Sequence, residues 1–312
     1  MGAVGLVFPG QGAQVAQMGA ELVAQQREPG LLELAAREGV DLQRLLVEAP
    51  TAELTPTERA QPCLYYTGVA LGNLLLEAGV SPLAAAGHSL GEFCALAVSG
   101  AIQGEQGLKL VLERSRLMAQ ARPGTMAAVL GLDYSQLEPL CREAARDGEC
   151  CVVANDNCPG QLVVSGTAKA MERLSVLARR AGARRVVPLP VGGAFHSPLM
   201  AEAASSFAAL VDAARFQEPR FPVATGVDGA LVGDAAGLRS ALRRQLDSPV
   251  RWREAVEAMV AGGVQTFVEC GPGATLAGLV RRTASGAGTL GLARPAELAG
   301  VVAQLDQRAA LA

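Results

Sequence analysis

Apolar and polar positions alternate along the chain in two registers. Short runs of β-branched and other apolar residues are separated by longer stretches of helical period, a pattern that predicts α/β architecture with mostly parallel strands. "VGLVF", residues 4–8, reads as a buried strand because no polar position interrupts it. "PCLYYTGVALGNLLLEAG", residues 62–79, reads as an apolar helix ended by Gly79. Ala84 to Gly87 predicts a short strand running into a turn at Ser89, and "EFCALAVSG" a helix after it.

The middle of the chain has a different rhythm. "TMAAVLGL", "SQLEPLCREAARDG", "CCVVAND", "GQLVVSG", "AKAMERLSVLARRAG" and "ARRVVPLPV" predict strand, helix, strand, strand, helix, strand. That order is the split βαβ of ferredoxin-like units. It predicts a small inserted subdomain over residues 124–191, carried by a larger α/β catalytic subdomain built from 1–123 and 192–312.

Composition narrows the function classes. Half of the 312 residues are hydrophobic, enough for a sizeable core, and the net charge of −3 gives no reason to expect a nucleic-acid backbone or an anionic membrane as partner. No apolar run is long enough to span a bilayer, and "MGAVGLVFPG" lacks the basic region of a signal peptide. Leu6 stands where a myristoylation signal has Ser or Thr. The seven cysteines, with Cys150, Cys151 and Cys158 in no metal-binding spacing, read as small buried residues of a reducing, cytoplasmic protein. No metal site is expected.

Candidate chemistry centres on "GHSLG", residues 87–91. Gly-X-Ser-X-Gly after a strand and before a helix is the nucleophile elbow of hydrolase-like sheets, although the pattern alone also fits a structural turn. A serine hydroxyl needs a base, and there are two histidines. His88 neighbours Ser89 and points elsewhere in an elbow, so its expected role is to shape the turn. That leaves His196, in "PVGGAFHSPLM", as the base. "FPGQGAQ", residues 8–14, lacks the Lys-Ser/Thr ending of a phosphate loop and the third glycine of a dinucleotide fingerprint. It remains suited to half of an oxyanion hole. Arg114 falls in line with Leu110, Leu117, Met118 and Ala121 on an otherwise apolar helix stripe, where it needs either an internal salt bridge or a bound anion.

"GQGAQ", "GHSLGE", "LERSRLMAQ", "GAFHSPLM", "RRQLDSPVRW" and "VECGPGATLAGL" occur in the order and at close to the spacing of malonyl-CoA:acyl carrier protein transacylases and polyketide synthase acyltransferase domains. The chain resembles that family over nearly its whole length. The resemblance implies ping-pong transfer of malonyl from a coenzyme A thioester, with no cofactor, to the phosphopantetheine thiol of an acyl carrier protein. It casts Ser89 as nucleophile, His196 as base, the backbone N–H groups of Gln11 and Leu90 as oxyanion hole, and the Gln245 carbonyl as the group orienting the histidine. Arg114 matches the arginine that pairs with the malonyl carboxylate. Phe195 matches malonyl-selective domains, while Gly193 replaces the histidine usual at the head of that motif and is expected to leave room on one side of the pocket. The alternative is an acyl-thioester hydrolase of the same fold. The basic run "ARRAGARR", residues 178–185, reads either as a dock for an acidic carrier protein or as a solvated helix end.

Overall fold

The computed structural model describes residues 3–311. Two sheets organise it. The larger contains β1 (Val4–Phe8), β2 (Ala84–Gly87), β7 (Val223–Thr225), β8 (Ala230–Val232), β9 (Thr266–Cys270) and β10 (Gly288–Leu292), in the order β10-β9-β1-β2-β7-β8. All neighbours run parallel except β8, which folds back on β7. β1 is central and every residue of it is buried, which is why its sequence shows no alternation.

The smaller sheet contains β3 (Thr125–Leu130), β4 (Cys151–Cys158), β5 (Gln161–Gly166) and β6 (Arg185–Pro188), antiparallel throughout and ordered β4-β5-β3-β6. Helices Tyr134–Ala144 and Ala168–Arg180 pack on one of its faces, where Leu137, Cys141, Met171 and Leu174 meet Ala127, Val129 and Val164. Because side chains alternate along a strand, Met126, Ala128 and Val163 project from the opposite face. These residues pack with the large core and help to wall the cleft that holds Ser89. β4 is tied to the segment that leads into the helix Trp252–Ala261: Asp156 N–H donates to the Val250 carbonyl (2.9 Å), and Val250 N–H donates to the Ala154 carbonyl (2.8 Å).

The long apolar helix begins earlier than its sequence pattern implies, spanning Thr57–Glu77 with Pro62 inside. Proline there denies a partner to the carbonyl four residues back, that of Glu58, which lies in the exposed first turn and can turn to water. Among the described residues no helix is long and apolar enough to cross a membrane. All seven cysteines carry free thiols, and all but the partly exposed Cys150 are buried.

Candidate active site

β2 ends at Gly87 and the helix Gly91–Ser99 starts four residues later, which forces a sharp turn through His88, Ser89 and Leu90. A Cβ at Gly87 would overlap the Gly91 and Glu92 backbone, and one at Gly91 would overlap the Phe8 carbonyl. The two glycines of Gly-X-Ser-X-Gly are therefore demanded by strand–helix and helix–sheet approach. Ser89 sits at φ +52°, in the left-handed region that a side chain rarely adopts. Strain of this kind persists only where surrounding structure enforces it, and it raises the hydroxyl into the cleft.

Ser89 Oγ lies 2.8 Å from His196 Nε2. The direction of that bond follows from the other side of the ring. His196 Nδ1 is 3.0 Å from the Gln245 carbonyl and 3.1 Å from the Ser248 carbonyl, both of which can only accept. Nδ1 therefore bears the hydrogen and donates it, Nε2 presents a lone pair, and the Ser89 hydroxyl donates to it. His196 is itself at φ +56° and is almost wholly buried. Burial, then the nearby Arg114 cation and His88, push its pKa down to about 3, so the imidazole is neutral.

Arg114 emerges from the helix Gly104–Gln120, 1% exposed, with its guanidinium 5.5 Å from the centre of the Phe93 ring. It donates from Nη1 to Gln61 Oε1 (2.6 Å), from Nε to Gln245 Oε1 (3.2 Å) and from Nη2 to Ser89 Oγ (2.9 Å). Each acceptor is neutral, and among the described residues no carboxylate reaches salt-bridge distance of this arginine. Burial lowers its pKa only to about 10, which leaves it charged. Of the two sequence alternatives, the internal salt bridge is absent. What is present is a buried cation beside the serine, able to receive an anion.

Gln11 and Leu90 face the same cleft of about 480 Å³. The cleft loop is brought to the elbow by close contact: a Cβ at Gly10 would overlap the His88 carbonyl. Neither the Gln11 nor the Leu90 backbone N–H donates to a protein acceptor among the described residues. His88 turns away from Ser89, its Nε2 2.8 Å from Asn157 Oδ1 on β4, so it ties the elbow to the small sheet. Phe195 also lines the cleft. A Cβ at Gly193 would lie 2.8 Å from Phe195 Cε1, so the ring of Phe195 lies directly against this glycine. The phenyl ring already occupies the space that a side chain at 193 would use.

Several site groups escape a reading of motifs. Gln61 is a fully buried amide on a helix whose other amide, Asn73, is only half-buried, and Glu92 is the single charge in the buried helix Gly91–Ser99. Both carry a visible signal, polarity at a core position. Gln245 was expected only for its carbonyl, yet its side-chain Nε2 also donates to the Ser89 carbonyl (3.0 Å) and to Glu92 Oε2 (2.9 Å). Ser248 contributes a main-chain carbonyl, which no side-chain pattern can announce.

Residues 6–309 match the acyl transferase domain family. The chain is 40% identical over 287 residues to the malonyl CoA-acyl carrier protein transacylase of Bacillus subtilis (strain 168), covering 90% of each chain. Among solved structures it is similar to an acyl carrier protein S-malonyltransferase from Vibrio cholerae (38% identity, TM-score 0.89, covering 96% of this chain and 99% of that one). It is also similar to a malonyl-transacylase solved in complex with its type II PKS acyl-carrier protein (36% identity, TM-score 0.88, 95% and 98% covered).

Proposed function

This chain belongs to the acyl transferase domain family, and from that premise we propose that it transfers a malonyl group from coenzyme A to the phosphopantetheine thiol of an acyl carrier protein through an acyl-enzyme on Ser89. The observation that carries the reading is the buried Arg114 guanidinium, hydrogen-bonded among the described residues to neutral groups alone and 2.9 Å from Ser89 Oγ. A substrate carboxylate meeting it would place the thioester carbonyl, two bonds away through a methylene, beside the serine.

In the first half-reaction Ser89 Oγ attacks the thioester carbon while its proton passes to His196 Nε2. The oxyanion of the tetrahedral intermediate accepts from the backbone N–H groups of Gln11 and Leu90. As the C–S bond breaks, the proton on Nε2 goes to the departing coenzyme A sulfur. The second half reverses these steps with the carrier-protein thiol: His196 takes its proton, the thiolate attacks the serine ester, and Ser89 recovers its hydrogen. The imidazolium formed in each step is stabilised by the Gln245 and Ser248 carbonyls, which accept from Nδ1–H, so no carboxylate is needed behind the histidine. No cofactor enters this scheme. The thioester hydrolase alternative finds no support among the relatives, which are named as transacylases or as an S-malonyltransferase.

Residues 124–191 form the proposed ferredoxin-like subdomain, a reading supported by the antiparallel order β4-β5-β3-β6 with both helices on one face. The remainder supplies the hydrolase-like core, supported by the elbow at the end of β2. Arg179, Arg180, Arg184 and Arg185 are exposed around the end of one small-subdomain helix and suit an acidic carrier protein. The cytoplasm is the proposed location. Brief incubation with a panel of acyl-CoAs followed by intact mass measurement tests the assignment. A malonyl adduct on the wild-type protein, discharged by holo carrier protein and not by water, is expected. An unmodified protein, or rapid hydrolytic discharge, overturns it.

A further inference from the structure

A single directed chain of hydrogen bonds leads from Arg114 to the loop that carries Gln11. Arg114 Nη1 donates to Gln61 Oε1 (2.6 Å), Gln61 Nε2 donates to Thr57 Oγ1 (2.6 Å), Thr57 Oγ1 donates to Gln11 Oε1 (2.9 Å), and Gln11 Nε2 lies 3.5 Å from the Thr55 carbonyl. Its polarity is set at one end. A guanidinium only donates, so Gln61 must turn its oxygen to Arg114 and its NH₂ to Thr57. The Thr57 oxygen thereby accepts, its hydrogen is left for Gln11, and the Gln11 amide must face it oxygen first. Gln61 and Thr57 are both buried, so neither can exchange these partners for bulk water.

Resting on the acyl-transfer reading above, we propose that Thr57 is a positioning residue for catalysis: its hydroxyl holds the Gln11 side chain, and with it the Gln11 backbone N–H, where the oxyanion develops. Among the described residues the Thr57 side chain makes no hydrogen bond to Ser89, His196 or Arg114. It acts through Gln11 in a loop that is otherwise held at the elbow by the packing of Gly10 against His88. The stabilisation that Gln11 supplies is needed in the transition state and not in the ground state, so loosening it lowers kcat and leaves KM alone. It serves every acyl group alike, because the oxyanion is common to all of them.

The test is the single-turnover rate of Ser89 acylation by malonyl-CoA and by acetyl-CoA. Thr57→Val, near in shape but without a hydroxyl, is expected to lower kcat about tenfold with both thioesters. That is less than the roughly 10²–10³-fold loss from removing an oxyanion donor outright. KM should be unchanged, and Thr57→Ser should restore the rate to within about twofold of wild type. Gln11→Leu removes the other end of the same bond while keeping the backbone N–H, and the double variant Gln11→Leu/Thr57→Val should be no slower than either single one. The single variant Gln11→Leu also stands in if Thr57→Val does not fold. A folded Thr57→Val at wild-type kcat, an equal loss in Thr57→Ser, a loss confined to KM, or full activity in Gln11→Leu overturns the proposal. Failure of the acyl-transfer reading is distinct, since wild type itself would then form no acyl-enzyme.

Discussion

Replacing Arg114 by alanine separates malonyl from acetyl chemistry in a way that few other single substitutions in this site could. The wild-type guanidinium is 1% exposed and, among the described residues, makes three hydrogen bonds, to Gln61, Gln245 and Ser89, and has no carboxylate partner. In Arg114→Ala a malonyl carboxylate entering the same space would be a buried anion facing two glutamine oxygens. Removing one partner of a buried charged pair costs ~3–5 kcal/mol, or roughly two to three and a half orders of magnitude in kcat/KM at 1.36 kcal/mol per decade. Acetyl-CoA brings no charge. Its loading depends on the Ser89–His196 pair, whose 2.8 Å bond and main-chain supports do not involve Arg114. Water in the vacated space can donate to each glutamine oxygen as the guanidinium did, which keeps Gln61 directed to Thr57 and Gln11, so acetyl loading should hold its rate or gain from a serine no longer engaged by Nη2. Quench-flow acylation followed by intact mass, with each thioester over a range of concentrations, gives both kcat/KM values. If malonyl and acetyl loading fell by the same factor, Arg114 would be a structural residue and the carboxylate would bind elsewhere.

Ser89→Ala should abolish the acyl adduct while leaving circular dichroism unchanged, and His196→Ala should slow loading by roughly 10²–10⁴-fold; persistent loading of the serine variant would remove the mechanism. Phe195→Ser should relax preference for malonyl-CoA over methylmalonyl-CoA, because the ring that overlies Gly193 and lines the cleft excludes an α-branch at a typical overpacking cost of ~1–3 kcal/mol. An unchanged product ratio in competition at equal thioester concentrations would show that Phe195 does not size the pocket. Glu92 is 1% exposed, and burial raises its pKa from 4.5 to about 7, so the folded protein holds this proton more tightly than the unfolded chain does. Its contribution is full below pH 4.5 and is lost as pH rises through 7, by an amount up to about 3 kcal/mol. Glu92→Gln should therefore gain more stability relative to wild type at pH 8 than at pH 5 in urea unfolding. An equal difference at both pH values would refute the assignment.

Periodicity along the chain was enough to find β1, β2 and the four strands of the smaller sheet, because apolar runs such as Val4–Phe8 and Met126–Leu130 report strands covered on both faces, whereas β7 to β10 of the larger sheet were not read from it. Ser89 was legible for the same local reason: the glycines that flank it are required by backbone contacts within one strand–turn–helix unit. Arg114 announced itself as a charge on an apolar stripe, yet the sequence left a salt bridge and an anion site equally open. Only the packed structure excludes the first, since among the described residues no carboxylate comes within salt-bridge distance. The Gln11–Thr57–Gln61–Arg114 chain, the Ser248 carbonyl behind His196 and the ring of Phe195 filling the space over Gly193 were beyond the sequence altogether. Their members lie up to 103 residues apart or act through main-chain atoms. Local pattern determines which faces of each element must be buried, whereas hydrogen-bond direction and side-chain clearance exist only once distant elements have been brought into contact.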